Sequence, residues 1–531
     1  MSQPIDKMRH VPEAPTRPRP AAAVRRFDVA ELYRGPLDSA NVAEPEDAAP
    51  VALDEKLRQA YYWISNQAII SPFYDIEYND QPPKKFTFGD HKVEVALPSD
   101  QSYSSYVLLP LLNLAVRRRC LIVGGPGRGK TVIATLMGIL AGYPLKELRR
   151  SIQHGQPQMT VADLLGNPLP SSLVNAESMD EVVIAWRRWL GMRVKIIDEY
   201  NRIPTRTQSA LLTVMADNYA EIYDQVFECP EAAWYLTAND DAGGGTYQVI
   251  EALSDRIDVV VKALHFNTRF LGDLLVRIEQ GVKPEEIVPD QIVFTQEELD
   301  RIELEIRAVR LPHDLRRRLE FFAAQFEFYE PGARQLEYMT KDTVKVSGVE
   351  FHSLDGAQTG TDGVADLGRQ TRNGMSVRAL MTALIYIKAM AYFRGADEVT
   401  FDDVRQILPF VLHDKLSQNP DAPAFDQAGM GALRADHVSW IRHLFDQACR
   451  EFDRLDLDND DPVARLTEEF ERGLDGVPED EVRGRMAEIE RTLRTWSAGR
   501  KLYGHMFDDI LKLKYLHQRY TNYLRWLQWR T

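Results

Sequence analysis

Only three cysteines occur in 531 residues, Cys120, Cys229 and Cys449, and they form no spaced cluster. That excludes a disulfide framework and a cysteine-built zinc site, and it fits a reducing compartment. The N-terminus lacks an apolar leader-like segment, and no run of about 18 uncharged apolar residues occurs, so no membrane span is expected and a cytoplasmic location is. The eleven histidines lack metal-ligand spacing, and no Ser/His/Asp or Cys/His arrangement stands out. Net positive charge is missing as well. The formal charge is −15, which argues against a generic nucleic-acid surface.

What is present begins at Leu121-Ile122-Val123, an apolar run that enters Gly124-Gly125-Pro126-Gly127-Arg128-Gly129-Lys130-Thr131. Cys120 to Val123 reads as a short buried strand, and Val132 to Leu140 as a helix. The loop between them has the G-x-x-x-x-G-K-T spelling of a phosphate cradle. Its glycines let backbone N–H groups turn inward, and a helix N-terminus faces the anion. Gly125 to Val132 are the candidate nucleotide-binding residues: Gly125, Pro126, Gly127, Arg128, Gly129, Lys130, Thr131 and Val132. Lys130 is placed to reach the β- and γ-phosphates of ATP, and the Thr131 hydroxyl to ligate Mg²⁺.

Downstream, Val194-Lys195-Ile196-Ile197-Asp198-Glu199 is an apolar strand ending in two acids. Asp198 is the candidate Mg²⁺ holder and Glu199 the candidate base for the attacking water. A later strand ends in Leu236-Thr237-Ala238-Asn239, and an Asn beside the acidic strand end is suited to sense a γ-phosphate. Glu251 to Asp258 carries Arg256 between acids.

These residues, with Asn201-Arg202-Ile203-Pro204, Thr207 to Leu212, Gly245-Thr246-Tyr247 and Glu251 to Arg256, resemble the AAA+ ATPases of the MoxR family. Ser376 to Leu380, Arg394 to Thr400, and Asp403-Val404 through His413 resemble that family's lid. The resemblance covers roughly 101–330 and 373–416. It implies an ATP-hydrolysing ring, a hexamer with nucleotide between subunits. Asn239 then takes the sensor-1 position, Arg256 the arginine finger for the neighbour's site, and Arg378 the sensor-2 position, with Arg202 near the interface. Met159 to Asn167 resembles the start of a pore-facing loop carried on by 168–180, and Ile222 to Trp234 a second hairpin. The family also implies a protein partner with a von Willebrand factor A domain, to be remodelled or matured. The competing readings are a nucleotide-switched assembly scaffold and a nucleic-acid-stimulated restriction-type motor.

The expected fold class is α/β: a P-loop core with a parallel sheet flanked by helices, then a helical lid and an all-helical C-terminal extension. Residues 1–54 are rich in Pro, Ala and charge and read as a flexible arm, followed by an N-terminal extension over 55–100. The core is expected over 101–265 and the linker and lid over 266–420. An insertion at 336–372 includes a possible β-hairpin at Thr343 to Val346 and Gly348 to Phe351. The extension runs over 421–531. Its last segment spaces Met506, Ile510, Leu513, Leu516, Tyr520, Leu524 and Leu527 three or four apart, one apolar face suited either to packing on the same chain or to docking a partner. Asp456 to Asp460 mimics half an EF-hand loop, but Asp461 stands where that turn needs glycine and Thr467 where it needs Glu. Arg117-Arg118-Arg119 follows an apolar helix, where cations offset the macrodipole.

Overall fold

The computed structural model describes residues 52–69, 73–78, 84–89, 93–97, 101–175, 181–239, 255–263, 268–281, 283–354, 366–498, 502 and 504–530. The expected N-terminal arm, Gly245 to Tyr247 and Glu251 to Ser254 therefore lie outside the described residues, apart from the arm's last three positions. The chain divides into two compact units, Met1–Arg310 with Thr382–Phe410, and Leu311–Met381 with Val411–Thr531.

The first unit is built on a five-stranded parallel sheet. We label its strands β1 (Arg119–Val123), β2 (Gln153–His154), β3 (Val194–Asp198), β4 (Ala233–Ala238) and β5 (Val259–Lys262), in spatial order β5-β1-β4-β3-β2. The apolar runs read from sequence are β1, β3 and β4, to within a residue or two, whereas the two-residue β2 has no such run. Strands covered on both faces read as continuous apolar runs, and every residue of β4 is buried. Helix α1 (Ser105–Val116) is buried along its whole length and ties itself to the sheet through Asn113, whose Nδ2 donates to the Trp234 carbonyl at 3.1 Å. Trp234 packs edge-on against Trp189 with ring centroids 5.8 Å apart, in a core shared by Leu121, Ile197 and Leu236. Truncating so large a buried side chain typically costs about 3–5 kcal/mol. Here the loss would loosen the strand that presents Thr237 and Asn239. Buried Lys195 donates to the Met192 carbonyl and lies over the Trp234 ring, and burial pushes its pKa down to about 8.

Two hairpins leave this layer. Gly166–Pro168 pairs with Ile184–Trp186 and carries a short helix, Pro170–Asn175, while 176–180 fall outside the described residues. Tyr219–Ile222 pairs with Gln225–Glu228 around Tyr223 and Asp224, both at positive φ, which suits a tight two-residue turn. This second hairpin begins earlier than Ile222, and Trp234 belongs to β4 instead. Arg117 closes α1 in the left-handed conformation, and its guanidinium pairs with Asp300 and Glu303. Arg119 pairs with Asp258. Arg117 and Arg119 thus serve carboxylate partners in addition to the helix end.

In the second unit, Thr343 to Phe351 is not a hairpin. Residues Lys341–Ser347 form a helix, here α4 after α2 (Lys130–Leu140) and α3 (Thr205–Asp217) of the first unit. The Thr340 hydroxyl accepts from Thr343 N at 3.1 Å, and Gly348 ends the helix at φ 71°. Val344 is buried whereas Val346 is 89% exposed, so the alternating valines fit one buried side of a helix turn. Lys341 is buried and donates to the Gly368 carbonyl and to Thr371 Oγ1, each at 2.6 Å. Helix α5 spans Val377–Phe393.

Farther on come α6 (His437–Arg454), α7 (Pro462–Glu471), α8 (Glu479–Ser497) and α9 (Gly504–Arg530). Leu466, Val482, Ile489, Leu513, Leu516 and Tyr520 form one core, so the apolar face expected on the last helix packs on its own chain. Asp461 caps α7 by accepting from Val463 N and Ala464 N. Arg317 pairs with Asp461, and Arg318 with Asp453 and Asp458, so arginines take up the charge of the EF-hand-like loop. Among the described residues no group of three or more His, Cys, Asp or Glu side chains could hold a metal ion.

Candidate nucleotide site

The site assembles at the C-terminal ends of β1, β3 and β4. The chain leaves β1 at Gly124, whose N–H donates to the Ala238 carbonyl at 3.2 Å. A Cβ there would stand 2.6 Å from the Ala263 carbonyl oxygen, which explains the glycine. Gly129, at φ 75°, then turns the chain into α2. The first N–H groups of a helix have no intrahelical acceptor, so this end favours an anion. Pro126 and Gly127 are exposed at the loop's crest, while Arg128 folds back to donate to the Ala263 carbonyl at 2.8 Å. Tyr106 Oη donates to the Arg128 carbonyl at 3.0 Å and steadies the loop from below.

Lys130, 7% exposed, donates to the Gly124 and Gly125 carbonyls at 2.6 and 2.8 Å and to Asn239 Oδ1 at 2.9 Å. Asn239 in turn donates through Nδ2 to Glu199 Oε1 at 2.8 Å. Thr131 Oγ1 donates to Asp198 Oδ1 at 2.9 Å, beside Val132 in the first turn of α2. Side-chain hydrogen bonds therefore link Lys130, Asn239 and Glu199 in one set and Thr131 with Asp198 in a second, side by side at the ends of β1, β3 and β4. Glu199 is a non-glycine residue at φ 52°, a strained conformation that is common at functional sites.

Sequence reasoning missed two members of this network. Thr237 Oγ1 accepts from Glu199 N at 2.9 Å and donates to Asp198 Oδ1 at 2.6 Å, bridging the acidic pair. Its place two residues before Asn239 was the available signal, since strand alternation puts both on one face. His154 faces Asp198 across the β2–β3 ladder, with Nδ1 3.2 Å from Oδ2. Neighbouring Gly155 donates to the Asp198 carbonyl at 2.7 Å, and a Cβ on it would overlap the Glu199 carbonyl. No spacing rule marks His154, because β2 is a two-residue strand. Arg202 pairs with Glu199 Oε2 at 3.3 Å.

The two remaining candidates lie elsewhere. Arg256, half-buried, precedes β5. Because β5 runs parallel to β1 with Val259 opposite Cys120, Arg256 belongs to the N-terminal rim of the sheet and the cradle to the C-terminal rim. Arg378 is exposed on the first turn of α5 and belongs to the second unit.

Residues 119–259 match the model of the ATPase family associated with various cellular activities (AAA), and residues 368–430 that of the AAA lid domain. Over 316 residues the chain is 24% identical to the chaperone MoxR1 of Mycobacterium tuberculosis, covering 59% of this chain and 71% of that protein. The two family models and this relative support a MoxR-family AAA+ ATPase. A crystal structure from Cytophaga hutchinsonii, described as that of a "putative ATPase", shares 18% identity with a TM-score of 0.43, covering 63% of this chain and 89% of that one. Nucleotide binding and ATPase activity are properties of the AAA ATPase family, whose members are usually oligomeric. No helix among the described residues is long and apolar enough to cross a membrane.

Proposed function

We propose that this chain binds ATP with Mg²⁺ in the β1–α2 cradle and hydrolyses it, and that it does so in a hexameric cytoplasmic ring that remodels or matures a protein partner. The observation that carries the chemistry is the pair of adjacent hydrogen-bonded sets, Lys130–Asn239–Glu199 and Thr131–Asp198. Lys130 and the α2 N-terminus hold the phosphates. Thr131 and Asp198 offer hard oxygen donors 2.9 Å apart, a fit to Mg²⁺, which when bound neutralises phosphate charge. Glu199, steadied by Asn239, takes the proton of the attacking water, and Asn239 aligns that water against the γ-phosphate. The loop residues Gly125 to Val132 supply backbone N–H groups and shape.

The ring rests on a second observation. Arg256 and the cradle belong to opposite rims of one sheet, and about 13 Å of strand separates Cys120 from Gly124 alone. An arginine so placed is suited to a neighbour's nucleotide, where it stabilises charge on the transferred phosphoryl. Exposed Leu275 and Ile278 on the helix Leu271–Glu279 supply apolar surface for such a contact. Arg378 acts as sensor 2. The partner with a von Willebrand factor A domain follows from family resemblance, as does the use of the loop over 168–180 to engage it.

The test is Glu199→Gln. It should lower turnover by about 10²–10⁴-fold while Mg²⁺-dependent ATP binding persists. A variant that still turns over ATP at the parental rate would remove the proposed base.

A further inference from the structure

The last helix carries a surface that the nucleotide site does not use. Its apolar side, Leu513, Leu516, Tyr520 and Leu524, is spent on α7 and α8. On the outward side, Lys512, Tyr515, Arg519, Asn522, Trp526 and Trp529 recur at alternating three- and four-residue steps over about 26 Å. All six are exposed, Trp529 at 88%, Tyr515 at 51% and Trp526 at 46%. Trp526 also stacks on Tyr523, with ring centroids 5.6 Å apart, and two exposed tryptophans aligned on a helix face are unusual for surface kept in water.

The charge on this stripe is one-sided. After Asp509 the chain contains no further acid, whereas Lys512, Lys514, Arg519, Arg525 and Arg530 follow. Lys514 is engaged by Glu337. Lys512, Arg519 and Arg525 form no ion pair among the described residues. Lys512 and Arg519 each lie 6.0 Å from the Tyr515 ring centroid, and Arg519 also lies 5.8 Å from that of Phe470 at the edge of α7.

We propose that this stripe of α9 docks an acidic amphipathic helix of a partner protein. The 3–4 spacing is that of a seam into which another helix packs its side chains, with Trp526 and Trp529 as anchors and the arginines selecting carboxylates. A membrane fits less well, because the helix's continuous apolar face is already turned into the bundle and the outward aromatics alternate with charges. Nucleic acid fits less well too: the stripe is one convex helix without a groove, and residues 456–481 of the same region hold eleven acids against two arginines. The proposal stands apart from the ATPase reading, since no residue of the nucleotide site takes part.

The full chain is titrated with a labelled helical peptide of about three Glu/Leu heptads, in parallel with a Lys/Leu counterpart, phosphatidylglycerol vesicles and oligothymidine. The Glu/Leu peptide should bind and shift tryptophan emission to the blue. Binding should weaken by about tenfold or more in W526A/W529A, and R519E/R525E should prefer the Lys/Leu peptide. Unchanged thermal melting of both variants, expected for exposed positions, keeps the result from being a folding defect. No binding of the Glu/Leu peptide, equal binding by the variants, or vesicles or oligothymidine binding through the same residues would overturn the proposal.

Discussion

His154 Nδ1 and Asp198 Oδ2 lie 3.2 Å apart across the ladder between β2 and β3. The other Asp198 oxygen, Oδ1, receives both the Thr131 and Thr237 hydroxyls. His154 therefore holds the carboxylate from the side away from the cradle. If Asp198 serves Mg²⁺, His154→Ala should raise the Mg²⁺ concentration needed for tight fluorescent-nucleotide binding several-fold, and His154→Asn should restore part of it. Identical Mg²⁺ titrations for the parent and the alanine form would refute this.

Thr237→Val keeps the side-chain shape but removes both hydrogen bonds of the bridge. It leaves the Glu199 N–H without its acceptor, a loss of about 1–3 kcal/mol if no water replaces it. Turnover should drop more than nucleotide affinity does, which paired steady-state and binding measurements can separate.

Arg256→Ala should bind nucleotide normally yet lose about 10³-fold or more in turnover. Mixing it with Lys130→Ala subunits should restore a fraction of the rate, because mixed contacts pair an intact cradle with an intact arginine. If mixtures recover nothing beyond the sum of the two variants, the shared site is wrong.

Lys341 gives a pH prediction for the second unit. Burial pushes its pKa down to about 7, whereas an unfolded lysine titrates near 10.4. Between those values the unfolded chain holds the extra proton, so stability should rise with pH from about 7 to about 10. Thermal unfolding across this range should show that slope, and Lys341→Met should flatten it. Lys341→Ala should also destabilise the unit by about 2–4 kcal/mol, since the Gly368 carbonyl and Thr371 hydroxyl lose their buried donor.

The core was legible in the sequence because buried parallel strands announce themselves as apolar runs, and the cradle, Asp198, Glu199 and Asn239 all sit at the ends of such runs. His154 was not, since pairing across an edge strand leaves no periodic trace. Thr343 to Phe351 was misread for a related reason. Four alternating residues fit a strand and one helix turn equally, and the Thr340 cap and Gly348 stop decide the matter. The final helix illustrates the converse: its buried face was evident from spacing, but its outward tryptophans became notable only once their exposure was known.

The opposite-rim placement of Arg256 and the cradle has a genetic consequence. In a ring, each copy would offer a socket on one side and a plug on the other, so a copy lacking the plug would silence a healthy neighbour's socket. Defective alleles of Arg256 should therefore act dominantly when expressed beside the intact gene, and the severity should follow the ratio of the two products.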